Sequence, residues 1–276
     1  MQIEIVTDST SDIPPEVAKE YHIHIVPALL NIGGQSLEDG PGISRREFYE
    51  RLPSLQPLPT TSAPSVGSFL KLYGKLFQQG ADKILSLHAP APLSGIYNAA
   101  RLAAQNYNEV VHVVDSGSLT LGLGFQAMAA SEASQNGASM EEVLTHVEDV
   151  RKRVDVTAML DTFEYVRRSG RVSWAKAALG TLLNIKPFVG VKNGAVLRLG
   201  ETRTRLKGVQ RLAEMLVNLG PLDRLAILHT NIEDEARQFL ASLNVKLPTT
   251  PLIVNVTTVI GTHVGPKGLG FAAVVH

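Results

Sequence analysis

In the first half of the chain, short apolar runs alternate with amphipathic helical segments, and this alternation limits the possible folds more than any other feature. The apolar runs cover residues 3–6, 23–32, 84–88 and 110–115, and a helical pattern follows each of them. Strands that lack polar interruptions and are separated by helices are typical of a parallel sheet buried on both faces. The sequence therefore predicts an α/β fold, with a parallel sheet and helices on both of its faces.

The pattern changes near residue 155. Asn193-Gly194 lies between two apolar runs, a strong signal for a tight β-hairpin. Further strands are predicted at 225–229, 252–256 and 271–275, and helices at 206–219 and 234–243. A hairpin joined to α/β units indicates an α+β domain. We expect an α/β domain over residues 1–155, an α+β domain over 156–276, and a ligand cleft between them.

Charge and composition exclude several classes of function. The 26 Lys and Arg residues equal the 26 Asp and Glu residues, so no net positive field attracts nucleic acid or anionic lipid. Cysteine is absent, which excludes thiol catalysis, thiolate metal ligation and disulfides. No apolar run reaches membrane length, and the start lacks a signal-peptide pattern. We expect a cytoplasmic protein that does not insert stably into membranes.

Hydroxyl residues cluster in four segments next to predicted helix starts. These segments are residues 8–12, 60–65, 93–95 and 115–118. The carboxyl ends of parallel strands meet at one edge of a sheet, where ligands collect, and helix starts attract anions. A helix cap or a turn is the commoner explanation of any one segment, but four segments clustered at one sheet edge favour a ligand site, so both interpretations stay open. Thr61 and Ser94 are the preferred ligand residues. Ser94 is followed by Gly95, which lets a ligand approach the backbone closely.

Enzymatic alternatives are also open at this point. A Ser–His pair could use His88 or His263, although the chain has no Gly-x-Ser-x-Gly nucleophile motif. Asp8 and Asp12 could serve a metal or a phosphotransfer reaction, but two carboxylates without a third favour a turn and a cap. No metal site, cofactor or catalytic residue is predicted.

Two further motifs have structural explanations. Residues 122–127 match a dinucleotide-binding pattern, but the first glycine lies several residues beyond the strand that ends near Asp115. We interpret these glycines as positions of close helix packing. The arginines of segments 167–171 and 203–205 indicate a solvated face, or alternatively a contact with a carboxylate or phosphate.

Taken together, the motifs resemble those of the DegV family, whose characterised branch comprises the fatty acid-binding FakB subunits of a bacterial fatty acid kinase. The resemblance runs along nearly the whole chain. The matching segments are 5–12 (IVTDSTSD), 61–65 (TSAPS), 93–98 (LSGIYN), 114–116 (VDS), 170–173 (GRVS), 186–187 (KP), 202–204 (TRT) and 263–266 (HVGP).

This resemblance implies a long-chain fatty acid bound without covalent chemistry in an apolar tunnel between the domains. The resemblance implies that the fatty acid carboxylate is bound by five residues, which are Thr61, Ser62, Ser94, Gly95 and His263. It also implies that Arg203 and Arg171 lie on the head-group side or contact a partner. That partner is a separate kinase, which phosphorylates the bound carboxylate, so this chain would present a substrate in phospholipid metabolism without catalysing a reaction.

The chain departs from the family pattern at several positions. Ile96 stands where threonine is common, Ser169 where glycine is common, and Lys267 where a small residue is common. Residues 89–92 (APAP) replace a segment richer in hydroxyl groups. These differences concern the partner surface and the pocket shape. They leave Thr61, Ser94, Arg203 and His263 in place.

Overall fold

The computed structural model describes residues 1–172, 174–175, 185–243 and 249–276, so Ser173 of the matching segment 170–173 lies outside the described residues. In the first half the elements are β1 (Ile3–Asp8), α1 (Pro15–Glu20), β2 (Ile23–Val26), β3 (Leu29–Ile32), β4 (Gln35–Glu38), α2 (Arg45–Arg51), β5 (Thr60–Ser62), α3 (Val66–Gln78), β6 (Lys83–His88), α4 (Ile96–Ala104), β7 (Val111–Asp115), α5 (Leu121–Gln135) and α6 (Met140–Arg153). In the second half they are β8 (Val154–Met159), α7 (Glu164–Ser169), β9 (Lys186–Lys192), β10 (Ala195–Thr202), α8 (Arg205–Val217), β11 (Leu222–His229), α9 (Glu233–Ser242), β12 (Leu252–Asn255), α10 (Thr258–Val264) and β13 (Leu269–Val275).

The first sheet has the order β2-β1-β6-β7, and all its strands are parallel. Its apolar side chains alternate between two cores. Ile5 and Leu85 pack towards α1 and α5, whereas Val6 and Ile84 pack towards α3 and α4. Helices therefore cover both faces, and the predicted parallel sheet is confirmed.

The prediction of one strand over residues 23–32 is wrong. Val26 ends β2 of the parallel sheet, whereas Leu29 begins β3 of a separate three-stranded antiparallel sheet with the order β4-β3-β5. Pro27 separates them, because proline has no N–H to donate to a strand ladder. The backbone N–H of Ala28 donates instead to Ser9 Oγ at 3.1 Å. This break places Leu30 of β3 opposite Thr61 of β5.

The second large sheet has six strands in the order β10-β9-β8-β13-β11-β12, antiparallel except for the last pair. The predicted hairpin joins β9 to β10. Asn193 and Gly194 have φ values of 49° and 77°, as the tight hairpin turn requires. Helices α8 and α9 cover one face of this sheet with a core that includes Leu212 and Phe239.

Helix α5 packs against both large sheets, and one continuous core includes Ile5, Leu123 and Leu228. A Cβ atom added to Gly122 would lie 2.5 Å from Val156 Cγ2 of β8, too close for any side chain. The interpretation of this glycine as a packing position is confirmed. Residue 155 is the second residue of β8, and the domain boundary near it stays a prediction.

Candidate ligand-binding site

A cavity of about 140 Å³ opens at the carboxyl ends of the parallel strands. After β1 the chain passes to β2 at one edge of the sheet, and after β6 it passes to β7 at the opposite edge. A crevice therefore forms between the carboxyl ends of β1 and β6. Thr10 follows β1 and Ser94 follows β6, and both line the cavity. Val189 and Val196 close it from the six-stranded sheet. Both halves of the chain therefore contribute to one cavity, which we call the head cavity.

A second cavity of about 100 Å³, the tail cavity, adjoins the head cavity. The residues that line both are Leu119, Val189, Val196, Ile260 and Val264. The tail cavity continues along the six-stranded sheet past Val156, Ala158 and Val191, and its surface is almost entirely apolar. The two cavities together form an apolar lumen with one polar end.

The polar end combines a hydroxyl and an imidazole from opposite ends of the sequence. Thr61 Oγ1 lies 2.9 Å from His263 Nε2. Thr61 belongs to β5 and His263 to α10. Ser94 lies in the same cavity, just before α4, and its Oγ accepts the N–H of Ile96 at 3.3 Å. The hydroxyl hydrogen of Ser94 is therefore available to a ligand.

The environment keeps His263 neutral. Burial, followed by the positive charge of Arg171, lowers the pKa of His263 from 6.5 to about 4. Its Nδ1 is buried and has no hydrogen-bond partner within the described part of the chain. If Nε2 carries the proton and donates to Thr61 Oγ1, the threonine hydroxyl can donate onward to an anion.

Six of the seven predicted site residues line the head cavity. They are Thr61, Ser62, Ser94, Gly95, Arg171 and His263. Ser62 Oγ accepts a hydrogen bond from Asn31 Nδ2 at 3.3 Å, and Arg171 Nη1 donates to the carbonyl of Ser169 at 2.7 Å. Arg203 does not line the cavity and lies exposed between β10 and α8. The roles of all seven residues stay predictions.

Two polar residues of these segments that do not line the cavity serve local structure. Ser65, not Thr61, caps α3, because Ser65 Oγ accepts the N–H of Ser68 at 3.1 Å. The carboxylate of Asp115 accepts the N–H groups of Ala91 and Gly117, each at 2.9 Å. Segment 60–65 directly precedes α3, as expected, and within it Thr61 lies in strand β5.

Asp8 and His88 belong to a closed polar network behind the cavity. Asp8 Oδ2 accepts from His88 Nδ1 at 3.0 Å, and His88 Nε2 lies 2.7 Å from Ser86 Oγ. Tyr73 Oη adds a fourth member at 2.8 Å from Ser86 Oγ. All four side chains are completely buried. This Ser–His–Asp series has no exposed member that could attack a substrate, so the network supports a structural role.

The sequence pattern does not reveal which apolar residues line the cavities. Leu119, Val196 and Ile260 have the spacing of ordinary core residues, and no local signal separates cavity lining from core. Helix α10 was also not predicted, since it is short and contains Gly261. His263 alone, between two glycines, marked this region.

The fold and the site together define an α/β protein with an apolar lumen and a hydroxyl–imidazole end. The model of the family described as "Uncharacterised protein, DegV family" matches residues 2–276. The chain belongs to the DegV family. It is 33% identical to the protein DegV of Bacillus subtilis over 276 residues, which cover 98% of each chain. A DegV domain-containing protein of Streptomyces coelicolor is 34% identical over 273 residues, 97% of this chain and 96% of that one.

Solved structures of the family have the same fold. A DegV family protein from Thermus thermophilus, described with fatty acid binding, superimposes with a TM-score of 0.91 at 32% identity, covering all of both chains. DegV from Bacillus subtilis, described as a fatty acid binding protein, gives a TM-score of 0.88 at 31% identity, again covering both chains fully. These comparisons confirm the predicted fold class and the family resemblance.

None of the described helices is both long enough and apolar enough to span a membrane. Within the same part of the chain, no three His, Asp or Glu side chains are grouped so that they could hold a metal ion.

Proposed function

We propose that this protein binds a long-chain fatty acid non-covalently and presents its carboxylate to a separate kinase. The observation that carries the proposal is the apolar lumen that ends at Thr61, Ser94 and His263. Such a lumen fits a molecule with one anionic end and a long apolar body. Relatives with the same fold are described as fatty acid-binding proteins, which supports the same ligand class here.

In this proposal the carboxylate lies in the head cavity. The hydroxyls of Thr61, Ser62 and Ser94 donate to its oxygens, and the bare backbone at Gly95 allows close approach. Neutral His263 donates from Nε2 to Thr61 Oγ1 and so orients that hydroxyl. Hydrogen bonds to an ionised group are shorter and stronger than neutral ones, so a few hydroxyl donors can hold the ligand.

The acyl chain follows the apolar lining into the tail cavity. Each buried methylene contributes about 0.8 kcal/mol, so the chain supplies most of the affinity and the carboxylate sets the orientation. Ala158 and the valines of β8 and β9 leave the needed space because they are small.

In this proposal the partner kinase transfers phosphate to the bound carboxylate. Arg171 at the cavity and exposed Arg203 supply positive charge on the head-group side for that encounter. We infer that this step takes place in the cytoplasm. The alternative of a hydrolase or phosphotransferase has less support, since Asp8, Asp12 and His88 are all completely buried.

The protein should retain its ligand through purification. Denaturing extraction and mass spectrometry should release long-chain fatty acid, and the delipidated protein should bind a fluorescent fatty acid. Ser94→Ala should weaken that binding by about 1–3 kcal/mol, because the carboxylate loses a donor.

Ser65→Ala is the matched control. Ser65 is a nearby serine that caps α3 without lining the cavity, so its loss lowers stability by about 1 kcal/mol and leaves affinity unchanged. A lipid-free preparation that also fails to bind the fluorescent fatty acid would contradict the proposal. Equal affinity of wild type and Ser94→Ala would show that Ser94 only forms its local turn.

A further inference from the structure

Helix α10 contributes to the lining of both cavities. Val259 and His263 line the head cavity, and Ile260 and Val264 line both cavities. The helix has only seven residues, and an isolated helix of this length is unstable in water. Contacts with the rest of the protein therefore determine where its side chains lie.

The strand that leads into α10 is bound by two side chains of α2. Arg45 Nη1 donates to the carbonyl of Asn255, and Tyr49 Oη donates to the carbonyl of Val256 at 2.9 Å. Asn255 is the last residue of β12. These bonds therefore hold the end of β12 against α2, just before the helix begins.

Two buried aspartates bind the start of the helix itself. Asp12 Oδ1 accepts the N–H of Thr257 at 2.7 Å. Asp39 Oδ1 accepts the N–H of Thr258 at 3.2 Å and its hydroxyl at 2.8 Å. The N–H groups at the start of a helix have no partner within the helix, and the side chain of Thr257 does not cap α10. The aspartates therefore provide this cap, and Asp39 makes two of the three bonds.

Asp39 belongs to the same packed unit as Thr61. Asp39 directly follows β4, β4 pairs with β3, and β3 pairs with β5, the strand of Thr61. Leu30 of β3 lies in one buried cluster with Phe48 and Tyr49 of α2. The three-stranded sheet and α2 therefore carry Thr61 directly, and they hold the start of α10 through Asp39 and Tyr49.

The bond between Thr61 and His263 depends on this placement. Thr61 Oγ1 lies 2.9 Å from His263 Nε2. Hydrogen bonds weaken steeply when their distance and angle change, whereas apolar burial has no preferred direction. A small displacement of α10 therefore disrupts the Thr61–His263 bond more than it disrupts the apolar lining.

We propose that Asp39 is a positioning residue, which holds the start of α10 so that His263 meets Thr61 and orients the hydroxyl for the ligand carboxylate. This inference rests on the proposed function. Asp39 lines neither the head cavity nor the tail cavity, so it acts through the helix and not by contact with the ligand.

Asp39→Ala tests this role most directly. It removes the acceptor for both groups of Thr258, whereas Asp39→Asn keeps a carbonyl oxygen that can accept them. Affinities for a long-chain fatty acid and for the alcohol of the same length are measured by competition against a fluorescent fatty acid. We expect Asp39→Ala to bind the acid about tenfold more weakly and the alcohol less than about twofold more weakly, because hydrogen bonds to an ionised carboxylate are the stronger ones. Asp39→Asn should restore the affinity for the acid.

The imidazole of His263 provides a second measurement, which needs no ligand. In NMR spectra of the imidazole nitrogens of the delipidated protein, the Nε2 signal of His263 reports its hydrogen bond to Thr61. We expect Asp39→Ala to shift this signal and Asp39→Asn to leave it at the wild-type position. A general loss of stability does not produce this pattern.

Ser139→Ala is the matched control. Ser139 caps α6 by accepting the N–H of Glu142 at 3.3 Å, and α6 lines neither cavity. This variant should lower stability in urea unfolding and leave both the ratio of acid to alcohol affinity and the His263 signal unchanged. If Asp39→Ala does not fold, Thr258→Val removes only the hydroxyl bond to Asp39 and should weaken acid binding about threefold.

The outcomes are distinct. An unchanged His263 signal in Asp39→Ala, or equal losses of affinity for acid and alcohol, would overturn the positioning role. A failure of Asp39→Asn to restore wild-type values would also overturn it. Absence of fatty acid binding by wild type, with the His263 signal still shifted in Asp39→Ala, would instead refute the proposed function.

Discussion

Two hydroxyl–imidazole pairs of the same chemistry occur in this protein. Ser86 Oγ lies 2.7 Å from His88 Nε2, and Thr61 Oγ1 lies 2.9 Å from His263 Nε2. The pairs differ at the other ring nitrogen. Nδ1 of His88 donates to Asp8, whereas Nδ1 of His263 has no partner in the described part of the protein.

Access separates the two pairs further. The Ser86–His88 pair is completely buried between Asp8 and Tyr73, and every polar atom that links them is bonded. The Thr61–His263 pair lines a cavity whose other walls are apolar. A Ser–His–Asp series of hydrogen bonds therefore does not make a catalytic site by itself. An incompletely bonded polar pair next to an apolar lumen is the better indicator of a ligand.

The closed network also supports the open site. Asp8 Oδ1 accepts from the N–H of Thr10 at 3.0 Å, and Asp8 Oδ2 accepts from the N–H of Ala89 at 3.0 Å. Thr10 and Ala89 both line the head cavity. The completely buried network fixes one wall of the cavity, while the other pair remains available to a ligand.

Loss of the closed network should have the largest effect. Asp8→Ala leaves the donors on Thr10, His88 and Ala89 without an acceptor, and we expect the free energy of unfolding to fall by about 3–5 kcal/mol. Urea denaturation measures this change. The exposed Asp234→Ala should change it by less than about 0.5 kcal/mol. Similar stability of the two variants would show that the network contributes no more than a surface residue.

The two hydroxyls should give opposite results when each is removed. Thr61→Val should weaken fatty acid binding by about 1–2 kcal/mol with a smaller change in stability, because the lost group faces the ligand. Ser86→Ala should lower stability by about 1–3 kcal/mol, because His88 and Tyr73 lose a buried partner, and should leave affinity nearly unchanged. Titration with a fluorescent fatty acid and urea unfolding measure the two quantities. Loss of affinity in Ser86→Ala alone would reverse our assignment of the pairs.

The pH dependence of stability should reveal the unusual environment of His263. Folding lowers the pKa of His263 from 6.5 to about 4, so its contribution to stability is fully present above pH 6.5 and is lost as pH falls towards 4. His263→Gln should therefore lose less stability than wild type between pH 7 and pH 4.5 in thermal unfolding.

His146→Gln is the control for this measurement, because His146 is exposed on α6. We expect this variant to follow the wild-type profile. Identical profiles for wild type and His263→Gln would mean that His263 is protonated as easily in the folded protein as in the unfolded one.

Much of the architecture could be predicted because its signals are local. Unbroken apolar runs such as 84–88 mark strands buried on both faces, and Asn193-Gly194 marks a hairpin because both residues tolerate positive φ. The strand prediction over 23–32 failed at Pro27, where one proline moves the chain from one sheet to another. Periodicity alone does not reveal which sheet a strand joins.

The candidate site was predictable only in part. Helix-start signals indicated both Ser94 and Thr61. A helix begins after each segment, but Thr61 itself lies in a strand and does not cap the helix. The lining residues Leu119 and Ile260 could not be separated from core residues, since an apolar side chain looks the same beside a cavity as in a packed interior.

The sequence by itself determined the parallel sheet, the hairpin, the family and the hydroxyl residues of the candidate site, because each depends on neighbouring residues or on short motifs. Only the tertiary structure decided which histidine meets which hydroxyl. Thr61 and His263 are 202 positions apart in the sequence. They meet because β5 pairs with β3 and both strands contact α10. The structure also decided that His88 is enclosed and that an apolar lumen lies between the layers, since both depend on how layers pack and not on any local pattern.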